Sequence, residues 1–281
     1  MIETTKNRQI PPPSVLSKEA DAEFRQLVTD AGWDPADRWM GGYVNYEYDH
    51  LLPIIACYDL KPNCLNVLEF GCNIGASAII FQLLGARVTA VDISDQNLRI
   101  AKANARRYGA DSINFQLLDG SVQLPFPSGH FDLISCNSVL EYVPPAQLGS
   151  VQKELDRILK PGGRILVTGT SSRLWPKEVH SGKWLINYMP YSLNRYLSYG
   201  KEIPKGIWPA QVTQGFGKNY LNLDTEDKGT RFLKSRSLMH PRNDGFLVRC
   251  TVFLATLLSV SPGSLTHSIS CVLKKSNNAD Q

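Results

Sequence analysis

The apolar positions of this chain change period several times, and the changes outline an alternating α/β fold. Residues 18–31 have helical spacing, with Ala22, Leu27 and Val28 among the apolar positions. Residues 33–60 are rich in aromatics, including Trp33, Trp39, Tyr43, Tyr46, Tyr48 and Tyr58, and predict helices that close over a main domain. From Leu65 onward, short apolar runs alternate with helix-length segments. LNVLEF, RVTAVD, INFQLLD, FDLISCN and RILVTGT read as five strands. Between them, residues 74–84 read as a helix with Gly85 at its end, and Ser94 as the N-cap of a helix reaching Tyr108. Residues 145–159 read as a third helix, halted by Lys160-Pro161-Gly162-Gly163. Strands joined by helical crossovers give a parallel sheet covered on both faces. Such a sheet takes its ligand outside the carboxyl ends of the strands.

The pattern breaks after the fifth strand. Residues 171–244 read as a long irregular insertion carrying Trp175, Trp184 and Trp208. FLVRCTVFLATLLSV, residues 246–260, has Arg249 inside it. It falls short of the roughly 20 apolar residues that span a bilayer, so a buried helix or strand is expected. Residues 267–274 supply a last strand able to complete the sheet. The organisation expected is a mobile Pro-rich tail over 1–17, a helical lid over 18–60, and a main domain over 61–281 whose insertion, about 171–244, binds substrate.

Composition adds modest limits. A chain of 281 residues suits one large α/β domain with extensions. The net charge of +4 is unevenly spread: residues 170–281 hold 15 Lys/Arg against seven Asp/Glu, and the rest holds 15 against 19. A basic second half suits an anionic substrate or a transient approach to nucleic acid or a membrane surface, and equally a solvated face. The six cysteines form no C-x-x-C pair and no His cluster stands near them, so neither a metal site nor a disulfide framework is expected. MIETTKNRQIPPP has no apolar run, does not read as a secretory leader, and leaves a cytoplasmic location as the expectation.

The candidate chemistry sits at the strand ends. Glu69-Phe70-Gly71-Cys72-Asn73-Ile74-Gly75 joins the first strand to the first helix, and its glycines allow a tight turn with close ligand approach. Asp92 ends the second strand, 23 residues after Glu69, where a carboxylate can accept both hydroxyls of a ribose. Asp119-Gly120 follows the third strand, where an acid can hold an adenine amino group. Asn137 ends the fourth. Four strand ends therefore present polar groups on one rim.

VLEFGCNIG, AVDIS, LLDGSVQLPFPSGHFDLISCNSVLEYV and LKPGGRILV together resemble the successive motifs of class I S-adenosylmethionine-dependent methyltransferases, over roughly residues 67–168. The likeness is to the small-molecule branch. It implies a Rossmann-like, seven-stranded, mostly parallel sheet with the last strand antiparallel, an N-terminal helical lid and an insertion after the fifth strand. It also implies S-adenosyl-L-methionine as cofactor. Glu69, Gly71 and Gly75 would border its methionine part, Asp92 its ribose, and Ile93, Asp119 and Gly120 its adenine, with Cys72 and Asn73 of the same turn also among the cofactor-binding residues. The backbone near Asn137 would meet the amino group. Two positions depart from the pattern: Asn73 replaces a glycine, and Tyr142 stands where a His is frequent. A nicotinamide dinucleotide also uses a Gly-rich turn and a later acid, but the turn here lacks G-x-G-x-x-G.

For the reaction, Tyr43 and Tyr46 lie three apart and share a helix face, where they can form a lid over the cofactor. His180 is the candidate base for an O-methylation, with Glu178 to orient it or bind substrate. The remaining histidines receive no role. The expected acceptor is a small molecule or a glycan or lipid intermediate, possibly anionic. An RNA or protein methyltransferase is the alternative, although Asn137-Ser138-Val139-Leu140 is not the N/D-P-P-Y type of motif. A non-catalytic cofactor-binding subunit is a third reading, set against the presence of the cofactor residues. Oligomeric state is not indicated.

Overall fold

The computed structural model describes residues 10–190, 205–240 and 245–277, together with 192, 193 and 196. The seven strands are β1 (Asn66–Phe70), β2 (Arg87–Asp92), β3 (Asn114–Leu117), β4 (Phe131–Asn137), β5 (Leu159–Ser171), β6 (Tyr220–Asn222) and β7 (Ser268–Lys275). They lie in the order β3-β2-β1-β4-β5-β7-β6. The first five are mutually parallel, and β7 runs antiparallel to both β5 and β6. The expected sheet, mostly parallel with its last strand antiparallel, is the one observed.

Burial on both faces explains why the strands read as near-continuous apolar runs. In β1, Val67 enters one core cluster with Ile79, Ile80 and Phe81, while Leu68 enters the other with Val91, Ile134 and Leu155. The helices supplying those clusters are α3 (Ala76–Leu83), α4 (Asp95–Arg107) and α5 (Pro145–Ile158). Ser94 caps α4 by accepting the Asn97 N–H at 3.2 Å. The expected stop at Pro161-Gly162-Gly163 falls inside β5. Leu159 already pairs with Phe131, and a register shift precedes the pairing of Arg164 with Leu133.

The N-terminal helices are welded to the domain. In α1 (Lys18–Asp30), Asp21 pairs with the buried Arg107 of α4 at 2.8 Å, and that guanidinium lies 4.0 Å over the Phe24 ring. In α2 (Tyr43–Cys57), Val44, Tyr48, Leu51 and Ile55 join the same cluster as Val67. The described part of the expected mobile tail is also held. Tyr48 donates its hydroxyl to the Ile10 carbonyl at 2.8 Å, and the Leu16 N–H donates to the Arg107 carbonyl at 2.7 Å. Residues 1–9 lie outside the described residues.

Two further expectations change. The segment read as an irregular insertion contains α6 (Pro209–Thr213), β6, α7 (Leu223–Glu226) and α8 (Thr230–Met239). These elements are three to ten residues long, too short for β6, α6 and α7 to show a period. The apolar stretch after Gly245 does form a helix, α9 (Phe246–Leu257), but it is not buried: only Ala255 is enclosed. It packs on α8 and on the short 3-10 turn Pro262–Leu265, at the margin of the domain. No helix among the described residues is long and apolar enough to cross a membrane.

Candidate active site

The turn from β1 to α3 is drawn inward. Gly71 and Cys72 both donate their N–H groups to the Val91 carbonyl, at 2.9 and 2.8 Å. Asn73 donates its N–H to the Asp92 carboxylate at 2.8 Å, and Gly75 donates to the Cys72 carbonyl at 2.8 Å. A dinucleotide-binding turn keeps such N–H groups for a pyrophosphate. Here four of them are consumed by the protein itself, and a carboxylate, Glu69, sits beneath. Gly71 has φ +72°, and a Cβ there would come within 2.3 Å of Val139. Asn73 is also left-handed, at φ 48°, a conformation that Asn tolerates better than most side chains. The turn therefore keeps its geometry without the usual glycine.

Glu69 opens a buried acidic pocket. Its Oε2 is buried and has no hydrogen-bond partner. Glu47, on α2, is buried beside it and lies 3.4 Å from Ser77 Oγ, which also accepts from Asn137 Nδ2 at 2.9 Å. Burial, followed by the neighbouring Glu47 charge, pushes Glu69 up to about 8 even though Ser135 and Ser77 oppose the shift. Burial raises Glu47 as well, against hydrogen bonds from Asn137, Tyr43 and Ser77. No Lys or Arg is among the groups acting on either acid. Two carboxylates in low dielectric without a cation are costly unless a ligand brings one. An amino acid's α-ammonium does so, and S-adenosylmethionine carries one.

The rest of the rim also suits that cofactor. Asp92 holds the turn through Asn73 on Oδ2 and accepts the Ser94 N–H at 2.9 Å and Asn97 Nδ2 at 3.5 Å on Oδ1, with a lone pair left on Oδ2 for a hydroxyl. Ile93 is an exposed apolar side chain immediately after β2, where an adenine face would cover it. Asp119 and Gly120 lie beyond the end of β3 in an exposed turn, with Asp119 accepting the Ser121 N–H at 2.8 Å. The Ser121 hydroxyl first, and then this N–H, lower the Asp119 carboxyl from its usual value. A Cβ on Gly120 would meet nothing, so this side of the rim is open.

Tyr43 and Tyr46 share one face of α2, their rings stacked at 5.9 Å, and Trp39 lies edge-on to both. Tyr43 hydrogen-bonds Glu47, so the aromatic face and the acidic pocket are one unit. Burial and the Glu47 charge raise the Tyr43 phenol well above its ordinary value. Tyr46 stacks on its other side on His50, 3.9 Å between ring centroids. Glu47 had no motif to mark it; its only sequence sign is an acid one turn beyond Tyr43, on the same helix face.

At the ends of β4 and β5 a second arrangement appears. His180 Nε2 lies 2.7 Å from Oε1 of Glu141, whose side chain is fully buried in the turn Leu140–Tyr142. Glu141 also accepts the Ser171 N–H at 3.0 Å. Burial works to lower His180, but the hydrogen bond and charge of Glu141 outweigh it and the imidazole is raised. The partner expected for His180 was Glu178. Instead, the Glu178 carboxylate accepts the backbone N–H groups of His180 and Ser181 at 3.0 and 2.5 Å, closing the loop rather than holding the ring. Tyr142 stands 5.7 Å from the His180 ring. Glu141 was missed because an acid four residues past a strand end carries no spacing signal; only the fold brings it to residue 180. Exposed Trp175, Trp184 and Trp208 lie on the segments around this pair. The surface depressions of about 250 and 320 Å³, lined by Lys160, Asp132 and Arg87 among others, open at the opposite end of the strands. Among the described residues no cluster of His, Cys, Asp or Glu could hold a metal ion.

Residues 68–167 match a family model described as a methyltransferase domain. A ubiquinone biosynthesis O-methyltransferase of Coxiella burnetii is 27% identical over 205 residues, covering 71% of this chain and 80% of that protein. One from Albidiferax ferrireducens is 28% identical over 133 residues, covering 46% of this chain and about half, 52%, of that protein. Among solved structures, the [4+2]-cyclase SpnF superposes with a TM-score of 0.51 at 18% identity, covering 96% of this chain and 99% of the other. That last likeness shows the fold and not the reaction.

Proposed function

Because the chain is built on a class I S-adenosylmethionine-dependent methyltransferase domain, we propose that it methylates an oxygen of a small-molecule acceptor, with His180 receiving the acceptor's proton. The observation that carries this reading is the His180–Glu141 pair at the carboxyl rim, 2.7 Å apart. Glu141 is acceptor-only when ionised, so it takes the Nε2–H and leaves the Nδ1 lone pair for a hydroxyl proton. A base so placed contributes about 10²–10⁴-fold. S-adenosylmethionine, when bound, supplies a methyl group on a sulfonium. Glu69 and Glu47 would hold its α-ammonium, Asp92 its ribose hydroxyls, and Ile93 with Asp119-Gly120 its adenine. Tyr43 and Trp39 would shield the methyl end from water.

We assign the acceptor side to the segments flanking His180, which expose Trp175, Trp184 and Trp208. Arg173 lies 5.6 Å over the Trp208 ring. These residues, together with the likeness to the Coxiella ubiquinone biosynthesis O-methyltransferase, support a hydroxylated aromatic or lipid-like acceptor. No observation favours a nucleic acid. The test has two stages. Calorimetry with S-adenosylhomocysteine should show binding, and its absence sinks the reading. Hydroxylated aromatic acceptors are then assayed with the methyl located by mass spectrometry. Transfer to nitrogen or carbon, or an unchanged rate in His180→Ala, refutes the assigned chemistry.

A further inference from the structure

Helix α9 carries an apolar face that methyl transfer does not use. Leu247, Phe253, Leu254, Leu257 and Leu258 are 47–78% exposed. Leu247, Cys250, Leu254 and Leu257 recur three and four apart, with Phe253 and Leu258 beside them, so they form one stripe along the helix. The inner side, Val252 and Ala255, rests on Gly229 and the Pro262–Leu265 turn. A soluble monomer rarely exposes a contiguous apolar surface of this kind without a use for it.

The surroundings of the stripe are basic. From residue 228 to 260 the sequence holds six Lys/Arg and one acid, Asp244. Arg231 is paired with Glu226 and Asp227 and Arg236 is largely enclosed, which leaves Lys228, Lys234 and Arg249 as the exposed cations among the described residues. Arg249 is exposed on α9 itself. Lys228 and Lys234 are exposed on the neighbouring segment, and the Lys228 carbonyl accepts from Thr256 of α9 at 3.5 Å. An apolar stripe rimmed by cations is the composition of a helix that lies in the plane of an anionic lipid surface.

We propose that α9 seats this protein on the anionic face of a bilayer, with Phe253 and Leu257 entering the acyl boundary and Arg249, Lys228 and Lys234 meeting lipid phosphates. Two observations favour lipid over a second copy of the chain. A helix of 12 residues is about 18 Å long and about 10 Å wide. Paired with itself it covers far less than the roughly 800 Å² per partner of a stable interface. A two-fold pairing would also bring the same basic rim against itself. α8 lies between α9 and α2, so the anchor belongs to the side of the molecule that carries Tyr43 and Tyr46.

The test is co-sedimentation of the full chain with vesicles of phosphatidylcholine, alone or mixed with phosphatidylglycerol. Binding is expected only to the mixed vesicles, falling as salt rises. Phe253→Gln/Leu257→Gln should weaken it about 100-fold, and Arg249→Glu about tenfold. Unchanged S-adenosylhomocysteine affinity would show that each variant is folded. Were the double variant not to fold, Arg249→Glu and the salt dependence still decide. No binding to mixed vesicles, or equal binding by the variants, overturns the proposal. So does a dimer in sedimentation equilibrium that the double substitution dissociates, which would assign the face to a second copy. None of these readouts uses methyl transfer, so failure here leaves the enzymatic reading untouched.

Discussion

Glu69 and Glu141 are both buried acids at the carboxyl rim of the sheet, one at the end of β1 and the other just after β4. Glu141 already has its partner, an imidazole at 2.7 Å. Both acids keep a buried Oε2 without a partner, but among the described residues Glu69 has no imidazole or other cation beside it, only a second acid, Glu47. The difference separates two ways of preparing a site. The Glu141–His180 pair is assembled by folding and ready to move a proton. The Glu69–Glu47 pair is left unsatisfied by folding and is completed by whatever cation binds. The first should show itself in turnover, the second in affinity and in apo-protein stability.

The largest effect should come from removing the imidazole. His180→Ala is expected to lower kcat by about 10²–10⁴-fold with S-adenosylhomocysteine affinity unchanged by calorimetry. A parallel loss of cofactor affinity would erase the distinction between the two acids. The next effect belongs to Glu69. Glu69→Gln removes a charged acceptor of about 1.5–3 kcal/mol, which weakens cofactor binding about 10- to 100-fold. The same change should stabilise the apo protein. Glu69 is raised to about 8 from an ordinary 4.5, so the folded state holds its proton in that window while the unfolded chain has lost it. Stability is therefore greatest below pH 4.5 and falls as pH rises through 8. Thermal melts should show the variant more stable than the parent at pH 8, with the gap closing toward pH 5. Cofactor binding should tighten in the opposite sense, as the carboxylate form becomes available.

The two regions also differ in how far they could be read from the chain. The strand-to-helix turn, Asp92 and Asn137 stand where strands end and Asp119 two residues past the end of β3, and strands and crossovers have periods. Six of the seven strands were legible for the same reason, while the strand count and the antiparallel direction of the last strand came from the resemblance to methyltransferases. Glu47 and Glu141 follow no period. They meet their partners Ser77 and His180 across 30 and 39 residues, and only packing decides such pairs. The misjudged burial of α9 has a related cause: an apolar period reveals a stripe, and not what covers it. The three-residue β6 pairs with β7 across the insertion without any alternation of its own.

A smaller effect tests the Glu141 side. Glu141→Gln keeps a hydrogen bond to His180 but removes the charge that raises the imidazole. The neutral ring is the base, so the rate climbs as pH passes above its pKa. Loss of the charge should move that rising limb to lower pH and reduce the plateau by about tenfold. A simple structural role would lower the plateau without moving the limb. Pre-steady-state rates across pH distinguish the two.

The smallest effect expected is at Asn73, and it bears on whether the turn or the acids govern affinity. The residue is left-handed at φ 48°, and its N–H already belongs to Asp92 at 2.8 Å. Asn73→Gly would relieve a little local strain in the folded state, but it also adds freedom to the unfolded chain. The two nearly cancel, so unfolding free energies from urea titration should differ by less than about 0.5 kcal/mol. Since the four N–H groups of the turn point inward, the cofactor gains nothing from a more flexible backbone there. Affinity for S-adenosylhomocysteine should then change by less than about threefold, or roughly 0.6 kcal/mol. A larger gain would mean that the Asn73 side chain stands in the cofactor's space, and the turn, rather than the unsatisfied pair beneath it, would set how tightly this rim binds.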